Sequence, residues 1–72
     1  MLLELRKRRL AAGLTQRELA QRARTSPSVL SRIERGRLYA YPALRRRIAA
    51  ALNCNEHEIF PELPQIGYSP RP

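Results

Sequence analysis

Apolar positions along this chain recur at helical spacing in short stretches separated by capping residues. Residues 2–12 read as a first helix, with Leu2, Leu5 and the turn from Arg9 to Ala12 on its inner side and Gly13 as its stop. Thr15 and Glu18 form a T-x-x-E capping box, and Leu14 and Leu19 stand at staple spacing around it. A second helix follows as far as Ala23, with Leu19, Ala20 and Ala23 on one face. Ser26 is suited to N-cap a third helix and Pro27 to begin it, because an N–H at that position would lack a partner anyway. Val29, Leu30 and Ile33 give that helix an apolar stripe, and Gly36 can end it.

The second half continues in the same way. Residues 43–52 read as a fourth helix with Leu44, Ile48 and Leu52 inward, and Asn53 can replace glycine at its end. Asn55 and Glu58 form a second capping-box pair, with Cys54 and Ile59 as its staple. They predict a short fifth helix from Glu56 to Phe60, with Ile59 and Phe60 closing the core and Cys54 a small buried hydrophobe. The predicted class is all-α, with two short helices joined by about three residues, 24–26, as a helix-turn-helix requires. From Pro61 the periodicity stops, and four of the last twelve residues are proline. Residues 1–60 are therefore expected to form one domain and 61–72 an extended tail.

Charge changes the picture. Fourteen basic residues stand against six acidic ones, a net +8, and thirteen of the fourteen are arginine. Residues 1–55 carry thirteen basic and three acidic side chains (+10), whereas 56–72 carry one and three (−2). A basic, arginine-rich body suits a polyanion, above all nucleic acid. The other accounts are a charge for solubility and an anionic membrane surface. No helix sets a broad aromatic-rich face against its cations, so a membrane partner is not expected. One cysteine excludes an internal disulfide, and neither a membrane-length apolar run nor a secretory signal is evident. A cytoplasmic protein is expected. His57 has no second histidine and no cysteine at ligand spacing, so neither a metal, a cofactor nor a catalytic constellation is expected. No small-molecule ligand is evident either.

The run Gly13-Leu14-Thr15-Gln16, then Glu18-Leu19-Ala20, Ser26, Leu30-Ser31-Arg32-Ile33-Glu34 and Gly36, resembles the Cro/CI-like (XRE-type) helix-turn-helix proteins, which include the lambdoid phage repressors. Leu5 and Arg9 upstream, and Pro42, Leu44, Ile48, Ala49, Leu52, Ile59 and Phe60 downstream, extend the likeness over residues 2–60. It implies a five-helix, lambda-repressor-like DNA-binding domain of prokaryotic or phage origin, associated with the nucleoid. The implied function is a transcription regulator, in the first instance a repressor, that reads double-stranded DNA as a homodimer. Two recognition helices would then enter successive major grooves about 34 Å apart. An interaction module of the same fold, such as an antitoxin subunit or a coactivator-like adaptor, is the alternative.

The resemblance also implies roles for single residues. Pro27, Ser28, Ser31 and Arg32 would meet base edges, Arg32 by gripping guanine, unless it contacts phosphate only. Gln16 and Arg17 would reach a phosphate at the start of the second helix. Arg35, Arg37 and the Tyr39 and Tyr41 hydroxyls would position the backbone, although either tyrosine could simply pack. Arg8 is a phosphate contact or part of a solvated face with Arg6 and Lys7. Arg9 and Glu34 form a partly buried ion pair or stand as independent surface charges. Arg45, Arg46 and Arg47 splay about 100° apart and read chiefly as a solvated face, with one of them free to reach phosphates. Arg24 departs from the family, which commonly has glycine there; either the turn differs or the arginine compensates by contacting something. The tail is either disordered or, through Leu63, Ile66 and Tyr68, a dimer contact.

Overall fold

The structure is a computed structural model that describes residues 2–60, so the expectations for the tail at 61–72 lie outside the described residues. Five helices follow in order: α1 Leu3–Ala11, α2 Gln16–Arg22, α3 Pro27–Glu34, α4 Pro42–Ala51 and α5 Glu56–Ile59. Among the described residues there is no strand. α2 packs on α3 and α4, while α1 packs on α5 and α3, and α4 also meets α5.

Helices of this length are too short to persist alone in water, so packing must hold them. Leu5, Leu19, Leu30, Ile33, Ile48 and Ile59 are fully buried at the centre. Burying each contributes roughly 1.5–3 kcal/mol, more than a typical helix cap at about 1 kcal/mol. Side-chain caps then decide where α2 and α3 begin. Thr15 Oγ1 accepts from the Glu18 N–H at 3.1 Å, and Glu18 Oε1 accepts from the Thr15 N–H at 2.9 Å, a complete capping box. Ser26 Oγ accepts from the Val29 N–H at 3.1 Å ahead of Pro27.

Helix ends share one device. After α1, α2, α3 and α4 the chain closes with the same pair of backbone bonds, a Schellman motif. Gly13 N–H reaches Leu10 and Leu14 N–H reaches Arg9; Arg24 and Thr25 do the same to Gln21 and Ala20. Gly36 and Arg37 bond to Ile33 and Arg32, and Asn53 and Cys54 to Ala50 and Ala49. Each motif needs one left-handed residue, supplied by Gly13 (φ 72°), Arg24 (59°), Gly36 (76°) and Asn53 (59°). The turn at Arg24 therefore keeps the geometry glycine would give, and the arginine accepts the steric cost.

Three details differ from the sequence pattern. Of the Arg9–Ala12 turn only Arg9 is buried, while Leu10 is 55% exposed. With Leu5 inward, Leu10 falls about 140° further round the helix, away from the core. At α5, Asn55 is the N-cap residue but its side chain makes no cap hydrogen bond. Its Nδ2 donates instead to Glu58 Oε2 at 3.0 Å, and the other oxygen of that carboxylate meets Arg8 Nη2 at 2.7 Å. A cation and an amide thus draw the Glu58 carboxylate away from the backbone. Cys54 is half-buried against the core rather than fully buried.

Candidate nucleic-acid interface

α3 presents two unlike sides. Leu30, Ile33 and Glu34 are buried, whereas Pro27, Ser28 and Arg32 are exposed and Ser31 is half-buried. Ser28, Ser31 and Arg32 stand three and four residues apart, so they share one outward strip.

What holds this strip outward is a polar knot at the far end of α3. Arg9 Nε donates to Glu34 Oε2 at 2.6 Å and its Nη2 to Oε1 at 3.3 Å, while Nη1 donates to the Leu14 carbonyl at 3.0 Å. Gln16 Nε2 adds a bond to Oε1 at 3.0 Å. The Leu2 N–H donates to the Glu34 carbonyl at 2.9 Å. α1, α2 and α3 therefore meet at one carboxylate, and Arg9 ties the loop before α2 to it. Replacing such a buried pair by apolar residues is often neutral, but removing one partner strands a charge. Its effect is to fix how α3 is set against α1 and α2.

Gln16 is thus engaged by Glu34, although one amide hydrogen remains. Arg8 Nη2 pairs with Glu58 Oε1 of α5 at 2.7 Å, and both side chains stay partly exposed. Arg17, Arg35 and Arg37 are exposed, the last two directly after α3. Cations there also suit the negative end of that helix.

In the loop before α4 both tyrosines face outward, Tyr39 48% and Tyr41 53% exposed, while small Ala40 between them is the buried anchor. Each is held by an arginine six residues on. Arg45 Nη1 donates to Tyr39 Oη at 3.1 Å with its guanidinium 5.4 Å from the ring centre, and Arg47 Nη2 donates to Tyr41 Oη at 3.2 Å with its guanidinium at 5.9 Å. These contacts correct the solvated-face reading for two of the three arginines. The inward line Leu44–Ile48 explains why: positions 45 and 47 flank it about 100° and 60° away, and 46 lies opposite. Only Arg46 is fully on the solvent side. That line was readable in the sequence; the partners, brought in by the loop, were not.

The chain matches a family model described as a helix-turn-helix domain over residues 2–59. The chain belongs to this family. No curated protein and no solved structure matched it significantly. The helix-turn-helix assignment marks the chain as a DNA-binding domain of the regulator type. In this domain α2 and α3 are the paired helices, joined through the Schellman turn at Arg24. Among the described residues no group of three or more His, Cys, Asp or Glu could hold a metal, and no helix is long and apolar enough to cross a membrane.

Proposed function

We propose that this helix-turn-helix domain is a sequence-specific transcription regulator, acting as a repressor, that binds double-stranded DNA as a homodimer with α3 in the major groove. The observation that carries the reading is the outward strip of α3, Pro27, Ser28, Ser31 and Arg32, on a helix fixed from behind by Arg9, Gln16 and Glu34. Arg32 supplies the strong discriminator, a fork matched to guanine O6 and N7. Ser28 and Ser31 specify weakly and Pro27 offers only apolar contact, so DNA shape supplies the remaining selectivity. Arg17, Arg35, Arg37, Tyr39, Tyr41 and the second amide hydrogen of Gln16 grip phosphates on either side. Arg8 joins that set by exchanging its partly exposed partner Glu58 for a phosphate.

Residues 1–60 are taken as the binding unit, with 61–72 as a tail available for contact across the two-fold axis. Selection of bound sequences from a random duplex pool tests the reading. A near-palindromic consensus with half-sites one helical turn apart is expected, with affinity falling steeply as salt rises. An unstructured pool after several rounds would overturn specific recognition, and a single asymmetric site would overturn the dimer.

A further inference from the structure

Arg47 joins two places that the DNA-binding reading uses separately. It sits half-buried on α4, and its Nε donates to the Ala23 carbonyl at 2.7 Å. Ala23 is the C-cap of α2, the residue immediately before Arg24 at φ 59°. That carbonyl belongs to the last turn of α2, where carbonyls lack helical partners and a cation suits the helix end. The neighbouring nitrogen of the same guanidinium, Nη2, donates to Tyr41 Oη at 3.2 Å. One planar group thus spans the joint of the helix-turn-helix and the loop outside it.

We propose that Arg47 is a positioning residue for duplex binding: it braces the α2–α3 joint and turns the Tyr41 hydroxyl into a directed donor for a backbone phosphate. A guanidinium can only donate, so the Tyr41 oxygen accepts and its own proton must point elsewhere. Phosphodiester oxygens only accept, so a hydroxyl so arranged is matched to them. Accepting a bond from a cation also polarises the hydroxyl and strengthens the bond it donates. The half-exposed ring leaves that proton a path to an incoming strand. Arg45 donates to the Tyr39 hydroxyl in the same way, but it runs on to Phe60 and Glu56 and so anchors the loop to α5. Arg47 alone of the two bonds to the α2–α3 joint. The inference rests on the DNA-binding reading above.

The test uses the full chain and a labelled random-sequence duplex, comparing wild type, Tyr41→Phe, Arg47→Lys and the double variant. Arg47→Lys keeps the charge but loses the fork that serves both partners. Tyr41→Phe is expected to weaken binding about fivefold in wild type and less than about twofold beside Arg47→Lys, as coupled residues behave. Arg47→Lys alone should weaken it at least as much as Tyr41→Phe. Equal Tyr41→Phe effects in both backgrounds, or wild-type binding by Arg47→Lys, would overturn the proposal. Amide hydrogen exchange at Arg24 and Thr25, measured without DNA, is expected to quicken in Arg47→Lys and to stay unchanged in Arg46→Ala. Unchanged exchange in Arg47→Lys overturns the brace. A wild type that binds no duplex would sink the phosphate role along with the DNA-binding reading, while the exchange result would still judge the brace.

Discussion

Arg9 and Glu34, twenty-five positions apart, meet through two hydrogen bonds of 2.6 and 3.3 Å in a setting where both side chains are almost wholly buried. Because a buried charge without its partner is costly, Arg9→Ala is expected to lower stability by about 3 kcal/mol. Lys7, three residues from Glu4 on the same helix and 3.8 Å from its carboxylate, makes an exposed pair, so Lys7→Ala should change stability by less than about 0.5 kcal/mol. Urea unfolding of both variants checks this, and equal midpoints would show that the buried pair carries no special weight.

Arg24 should be improvable. It holds a left-handed conformation that costs a side-chain-bearing residue on the order of 1 kcal/mol, and its side chain is exposed. Arg24→Gly is therefore expected to stabilise the domain by up to about 1 kcal/mol. The reverse holds at Gly13, φ 72°, where an added Cβ would meet nothing within 4 Å. Gly13→Ala should cost about 1 kcal/mol through backbone conformation alone. A destabilised Arg24→Gly would mean that the arginine side chain contributes more than its backbone costs.

The helices, their starts at Thr15 and Ser26 and their stops at Gly13 and Gly36 were legible because each is local chemistry, a side chain answering a backbone group a few residues away. Asn53 was legible for the same reason. The all-helical fold followed from these together. The missed contacts all depend on where distant segments come to rest. Arg45 and Arg47 look like a charge run until the loop carrying Tyr39 and Tyr41 folds back over α4. Asn55 and Glu58 spell a capping box, but Arg8 arrives from another helix and competes for the carboxylate. At Ala40 the sequence offered two tyrosines as candidates for packing, and the small residue between them took the buried place.

Glu18 gives the domain an acid-sensitive cap. The Thr15 backbone N–H, then the Thr15 side chain, hold the Glu18 carboxyl below the usual carboxylate range, with Arg22 adding a smaller pull. A depressed folded-state value means the contribution is present above the unfolded-state value and is lost as pH falls through the folded one. Glu18→Gln should therefore lose stability near neutrality and show a shallower fall on acidification. Titration of the Glu18 carboxyl by NMR is the direct check, and a value at or above that of a free glutamate would contradict the cap's electrostatic role.

Cys54 is expected to be a poor nucleophile. Its burial against the core pushes the thiol up, outweighing the opposite pull of Arg8, so less thiolate is present at any given pH. Alkylation by iodoacetamide at pH 8 should run slower in the folded domain than for a free cysteine. Unfolding in urea should restore the free rate.

Replacing Arg32 tests the proposed base reading against phosphate gripping. It is exposed on the outward strip of α3, whereas Arg35 and Arg37 lie just beyond the helix end. A bidentate guanine contact is worth about 1–3 kcal/mol of discrimination, so Arg32→Ala should weaken the selected site about 5–150-fold. Random duplex should lose only the small factor due to one fewer cation. In the proposed complex Arg35 and Arg37 grip phosphate, so Arg35→Ala and Arg37→Ala should each weaken selected and random duplexes by similar factors and reduce the salt slope by about one. The comparison turns on the ratio of the two affinities, because a general loss of folding or charge moves both together. If Arg32→Ala lowered both equally, its guanidinium would belong with the phosphate-gripping set. Base selection would then rest on Pro27, Ser28, Ser31 and the shape of the duplex, too little to produce a sharp consensus.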